Sequence, residues 1–232
     1  MIRTALATSV AVVMLAAAAA APAFAYDPKE YAYAAGHMIT PKDIATPLTV
    51  KSKGYFSAGP DGGSFLCRKN DKAVNYPGGS DRYSINYNAE SGKRPSISVN
   101  VQQYSSSMKA IKAFDTLKEA ATTCKGTASG SDNWTGENGA PVVQQWSQLT
   151  TTGSVPLVTV VGVPSIFINV NYENVVSNEE SRYSSDNYTV YTLVNDVIIS
   201  TSFFSGSQLN ITAPQKKAVN QTAFNAVGAW VG

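Results

Sequence analysis

The stretch "ISVNVQQYSSSMKAIKAFDTLKEAATTC", Ile97 to Cys124, changes its period part-way along. Ile97, Val99 and Val101 alternate with Ser98, Asn100 and Gln102, the pattern of a half-buried strand. A serine run, Ser105 to Ser107, then offers side chains suited to capping a helix. Beyond it Ile111, Phe114, Leu117 and Ala121 recur at helical spacing, with Lys112, Asp115, Lys118 and Glu119 mostly on the other side. Thr122 and Thr123 are poor helix formers, so the helix gives way at Cys124 and Gly126.

Working outward, "RYSINYN" alternates Tyr83, Ile85 and Tyr87, and the turn "AESGKRP" joins it to the Ile97 strand as an antiparallel hairpin. "SFLCRKN" reads as an earlier strand carrying Cys67, and "SAGPDGG" before it as a loop. Further back, "ITPKDIATPL" has the marks of a short helix: Thr40 as cap, Pro41 at the first helical position, Asp43 in the first turn, and Pro47 as the stop. Downstream, "KGTASGSDNWTGENGAP" is expected to be a long polar loop. "VVQQWSQL", "VPLVTVVGV" and "SIFINVNYENV" read as strands, the last with Ile166, Ile168, Val170 and Tyr172 on one face. "EESRYSSDN" is expected to be a loop, followed by two strands folded at Asn195–Asp196. A Thr212-x-x-Gln215 capping box opens a last helix with Val219, Ala223, Val227 and Trp230 or Val231 at helical spacing. These elements predict an α+β fold: one domain, an antiparallel sheet with two main helices packed on one face.

The first 25 residues stand apart. Arg3 is followed by an apolar, alanine-rich run and then "APAFA", an arrangement that predicts a secretory signal peptide cut between Ala25 and Tyr26. An uncleaved membrane anchor is the alternative reading of the same run. The expected organisation is a signal peptide over 1–25, an N-terminal lead with a short helix over 26–64, and the folded domain over 65–232. Without Arg3 the chain holds 17 Lys and Arg against 16 Asp and Glu, and its basic pairs are scattered. That argues against a nucleic-acid footprint or a polybasic membrane patch, and no stable membrane insertion is expected after cleavage. The two cysteines, Cys67 and Cys124, are most simply one disulfide in an exported chain, worth about 4 kcal/mol by loop-closure entropy. Two free thiols, or half of a metal site, remain the alternatives.

Motifs for catalysis are sparse. His37 is the one histidine and sits in the loosely organised lead, so a Ser-His-Asp or Cys-His arrangement lacks its base. There is no nucleophile elbow, zinc-protease motif, phosphate loop or dinucleotide fingerprint. Asp132, Glu137, Glu173 and Asp196 are candidate acids, each in a setting that reads as solvated. "SDNWTGEN" offers oxygen donors without the spacing of a calcium loop. No catalytic residue, metal or cofactor is assigned. Among the 12 tyrosines and three tryptophans, Trp134 is the aromatic whose polar surroundings mark it as a weak candidate for ligand stacking.

The Ile97–Cys124 pattern of strand, polar cap, A-x-x-x-F-x-x-L helix and trailing cysteine resembles the extracellular sensor domain family of the mycobacterial kinase PknH. "YTVYTLVNDVIISTSFF" with its terminal helix is similar to the family's closing elements, and the likeness runs from about Phe65 to Val231. The resemblance implies an antiparallel sheet with helices that leave a ligand-binding cleft, and no established enzymatic activity. Cys67 and Cys124 match the family's first disulfide by placement, while its second has no counterpart here. The expected function is a secreted, non-catalytic, sensor-like binding domain for a small molecule, glycan or peptide of the cell envelope. A hydrolase of envelope polymers using a carboxylate pair, and a protein–protein interaction module, are the alternatives.

Overall fold

The structure, a computed structural model, describes residues 48–57, 64–70, 72–79, 81–89, 96–155, 163–176, 182–206 and 210–231. The signal-peptide segment with its Ala25–Tyr26 cut, the Thr40 helix, His37 and most of "VPLVTVVGV" lie outside them.

Ten strands and two helices occupy these residues. They are β1 (Leu48–Ser57), β2 (Ser64–Lys69), β3 (Lys72–Tyr76), β4 (Asp81–Ala89), β5 (Ser96–Gln103), α1 (Ser107–Cys124), β6 (Gly126–Thr135), β7 (Pro141–Ser154), β8 (Ser165–Val176), β9 (Arg182–Val194), β10 (Val197–Phe204) and α2 (Ala213–Val231). Eight strands form one antiparallel sheet in the order β1-β4-β5-β10-β9-β8-β7-β6, and β2 pairs with β3 as a separate ribbon. Strands β6 to β10 are a meander that starts at one edge and works inward until β10 meets β5. Helix α1 carries the chain from β5 in the middle out to β6 at that edge.

The α+β reading with both helices on one face is therefore corrected: the molecule is mostly β, and its helices lie on opposite faces. The reason is in β9 and β10. Side chains of a strand point alternately to its two sides. Val190, Val197, Ile199 and Phe203 pack into a core with Val219, Ala223 and Val227 of α2. Tyr191 and Ile198, their neighbours in sequence, pack instead with Phe114, Leu117 and Ala121 of α1. Central strands apolar on both sides need cover on both sides. Two sequence-expected loops are corrected as well. "KGTASGSDNWTGENGAP" is mostly β6, paired with β7 from Gly126↔Thr150 to Thr135↔Pro141. Its polar residues suit an edge strand with little cover. "EESRYSSDN" is strand from Arg182 onward, paired with β8.

Local chemistry fixes the helix ends. Ser106 Oγ accepts from the backbone N–H of Lys109 at 3.3 Å, capping α1. In the α1 stripe Phe114, Leu117 and Ala121 are buried, but Ile111 is 43% exposed and Ala110 and Ala113 take the inward places. Thr212 and Gln215 form the reciprocal box at α2: Thr212 N donates to Gln215 Oε1 at 2.9 Å, and Gln215 N to Thr212 Oγ1 at 3.4 Å. The β9–β10 hairpin turns at Asn195, whose φ of 52° is tolerated by asparagine better than by most residues. Cys67 of β2 and Cys124 at the end of α1 are disulfide-bonded, with Cα atoms 6.0 Å apart. The bond joins the ribbon to the helix.

Candidate functional site

The polar faces of the central strands are only partly covered. They form the floor of a cleft of about 860 Å³. β5 contributes Ser98, Asn100 and Gln102, the set that alternates with its buried valines; β10 contributes Ser200 and Ser202; β9 contributes Ser185, Asn187 and Thr189. Ile168, Val170 and Tyr172 of β8, with Tyr191, form an apolar and aromatic flank. The remaining side comes from the ribbon, through Phe65, Leu66, Arg68 and Tyr76. Gly79, just after the ribbon, admits the chain to the cleft edge. A Cβ there would lie 2.4 Å from the backbone oxygen of Gln103, so only glycine fits without a shift.

The ribbon has no ladder to the main sheet, so side chains hold it. Gln102 Nε2 donates to Ser64 Oγ at 2.9 Å and to the Tyr76 hydroxyl at 3.2 Å. Tyr104 donates to the backbone oxygen of Pro77 at 2.8 Å and lies 3.3 Å from Gln102 Oε1. Burial pushes the Tyr104 phenol well above its ordinary pKa, with nearby Tyr76 adding to the effect. It stays a neutral hydroxyl. At the other end, Arg68 donates through Nη1 and Nη2 to the two oxygens of Asp132, at 2.6 and 2.8 Å, a bidentate pair. The guanidinium also lies 4.7 Å from the centre of the Trp146 ring. These hydrogen bonds, then the charge of Arg68, hold the Asp132 carboxyl below its usual range. Gln148 exchanges bonds with the Arg68 backbone, accepting at 3.3 Å and donating at 3.4 Å.

The candidate acids do not converge. Asp132 is the partner of Arg68, outside the cleft lining. Asp196 sits in the β9–β10 turn, where it accepts from Gln103 Nε2 at 3.3 Å. Glu137 is exposed between β6 and β7. Glu173 borders a shallower depression of about 430 Å³ formed by β6, β7 and β8. Asp186 is a buried acid within a stretch expected to be a loop, and its role is structural. It accepts from the Ile211 backbone N–H at 2.6 Å and from Asn169, tying β8 and β9 to the approach of α2. Among the described residues no carboxylate lines the main cleft. Trp134 is 44% exposed on edge strand β6 and does not line the cleft.

This arrangement has a counterpart among solved structures. The fold is similar to that of the extracellular domain of PknH from Mycobacterium tuberculosis. The crystal structure of that domain matches with a TM-score of 0.50 and 11% identity, over 86% of this chain and 96% of the other. At that identity the likeness is one of fold. No protein-family model and no curated protein sequence matches the chain.

Sequence reasoning missed the cleft floor because Ser98, Asn100 and Gln102 read as the wet side of a two-layer sheet. A signal was present: small hydroxyl and amide residues recur on one side of several strands, as in Ser200 and Ser202 or Asn187 and Thr189. What was lacking was the knowledge that these strands are neighbours.

Proposed function

We propose that the protein is an extracellular, non-catalytic binding domain whose ligand occupies the cleft between the sheet and the disulfide-held ribbon. The observation that carries this reading is the cleft itself. Its volume lies in the upper part of the range for ligand sites, about 300–1,000 Å³, and its polar groups converge from several strands. Its lining, among the described residues, offers no acid and no histidine, and its cation already holds a carboxylate. General acid–base chemistry by a carboxylate or an imidazole therefore has no residue in that lining. The secretory-type leader, the disulfide and the fold shared with an extracellular domain are consistent with an oxidising exterior compartment.

The test is native mass spectrometry of the protein recovered from the medium of cells expressing the full chain. The expected species begins at Tyr26, is oxidised, and carries a non-covalent adduct that the cleft-filling variant Ser98→Trp lacks. A protein kept inside the cells, or an adduct equally present on the variant, contradicts the reading.

A further inference from the structure

We propose that the cleft takes an uncharged, hydroxyl-rich ligand, a short neutral oligosaccharide. This inference rests on the cleft being the binding site and adds the chemistry of what fills it.

Charge decides first. A carboxylate, phosphate or sulfate in the cleft would need a cation. Among the described residues the lining supplies Arg68, whose Nη1 and Nη2 already donate to Asp132. A ligand cation would need an acid, and the described lining holds none. A charge moved from water into such a site without a partner is strongly disfavoured.

Polarity decides next. An acyl chain or other apolar body would cover the half-buried polar side chains of Ser98, Asn187 and Ser202 without offering them hydrogen bonds. The floor is built from hydroxyls and amides, which donate and accept within the same small group. Ser202 and Thr189 show the mode: their hydroxyls lie 2.8 Å apart across β10 and β9, and either can be the donor. A saccharide matches this, because each ring hydroxyl also does both. An extended peptide offers one donor and one acceptor per residue in fixed alternation, a poorer match to a two-dimensional field of hydroxyls.

The flank supplies the third element. Tyr172 and Tyr191 stand beside the polar floor, with Tyr191 held edge-on against Tyr76 at 5.8 Å between ring centres. Tyrosine offers an apolar face for the C–H side of a sugar ring and a hydroxyl at its rim. Polar floor and aromatic flank together suit a ligand with one hydroxylated edge and one apolar face.

The experiment is amide chemical-shift mapping on the oxidised domain. The probes are uncharged hexose and pentose di- to tetrasaccharides, a sulfated disaccharide, a neutral tetrapeptide and a saturated fatty acid. The expected result is saturable shifts at Ser98, Asn100, Ser200 and Tyr191 with at least one uncharged saccharide. Its sulfated analogue should bind about tenfold more weakly or not at all, the size of one unpaired buried polar contact. Ser98→Trp should abolish the shifts. Tyr172→Ala, at the rim, should weaken binding about tenfold while leaving the fold intact, so the test survives if the larger substitution unfolds the protein. Shifts at the same residues from the peptide, the fatty acid or the sulfated sugar alone would overturn the ligand class and leave the cleft as the binding site. Saccharide shifts confined to other surfaces, or no shifts at the cleft from any probe, would overturn both.

Discussion

The two faces of the sheet are built from the same strands and do different work. On the α2 side, Ile97, Val99 and Val101 of β5 and Ile199 and Phe203 of β10 lie against Val219, Ala223 and Val227, and the polar residues buried with them, Thr201 and Thr222, are small and uncharged. On the cleft side the intervening residues of those strands are Ser98, Asn100, Gln102, Ser200 and Ser202. One face closes on a helix in a largely apolar contact. The other is covered in part by a ribbon that shares no ladder with the sheet and is fastened by one disulfide and a few side-chain bonds. The alternation of a strand allows a single backbone to carry a stabilising face and a recognising face, so that changes to one need not disturb the other.

The comparison is most easily broken on the apolar side. Phe203→Ala removes a fully buried ring from the α2 core and is expected to cost about 3–5 kcal/mol, read from urea unfolding. Ser202→Ala, one residue along on the cleft side, is expected to fall well under that, within about 1 kcal/mol. Similar costs for the two would mean that the faces are not divided as described. Replacing both cysteines by serine comes next, at about 2–4 kcal/mol from the freed loop, with cleft-ligand affinity falling further than stability alone requires. A variant of unchanged affinity would separate the disulfide from the cleft.

The smallest effect is that of Asp132→Asn. Pairing with Arg68 lowers the carboxyl pKa in the folded state, so the pair's contribution is present above the unfolded carboxylate pKa and lost as pH falls through the lowered folded value. The pair is partly exposed and salt should weaken it. Urea midpoints of parent and variant are expected to differ at neutral pH and to converge in acid. A difference that persists in acid would assign the effect to something other than the charge.

Much of this fold was legible in the sequence. Period-two runs gave β5 and β8, the Ile111, Phe114, Leu117 and Ala121 stripe gave α1 although Ile111 itself faces outward, and Asn195–Asp196 marked the hairpin. Each is a local signal, set by residues that are close along the chain. The opposite placement of the helices was not legible from any single stretch, because it depends on β10 lying beside β5, far away in sequence. β6 escaped because "GTASGSDNWT" has no apolar alternation; its strand character comes from its pairing with β7. Leu48–Ser57, inside the segment read as a lead, is hydrogen-bonded to β4 as the other edge of the sheet. For the site, single-residue cues such as the exposed Trp134 pointed to the edge of the sheet, whereas the cleft is made by small polar residues that become a surface only after the strands are assembled.

Hydrogen–deuterium exchange on the oxidised and the reduced protein, side by side, tests the division of labour most directly. Reduction is expected to strip protection from Ser64–Tyr76 and from the last turn of α1, leaving β9, β10 and α2 as slow as before. Exchange that speeds up equally on both faces, or that does not change in the ribbon, would contradict the account.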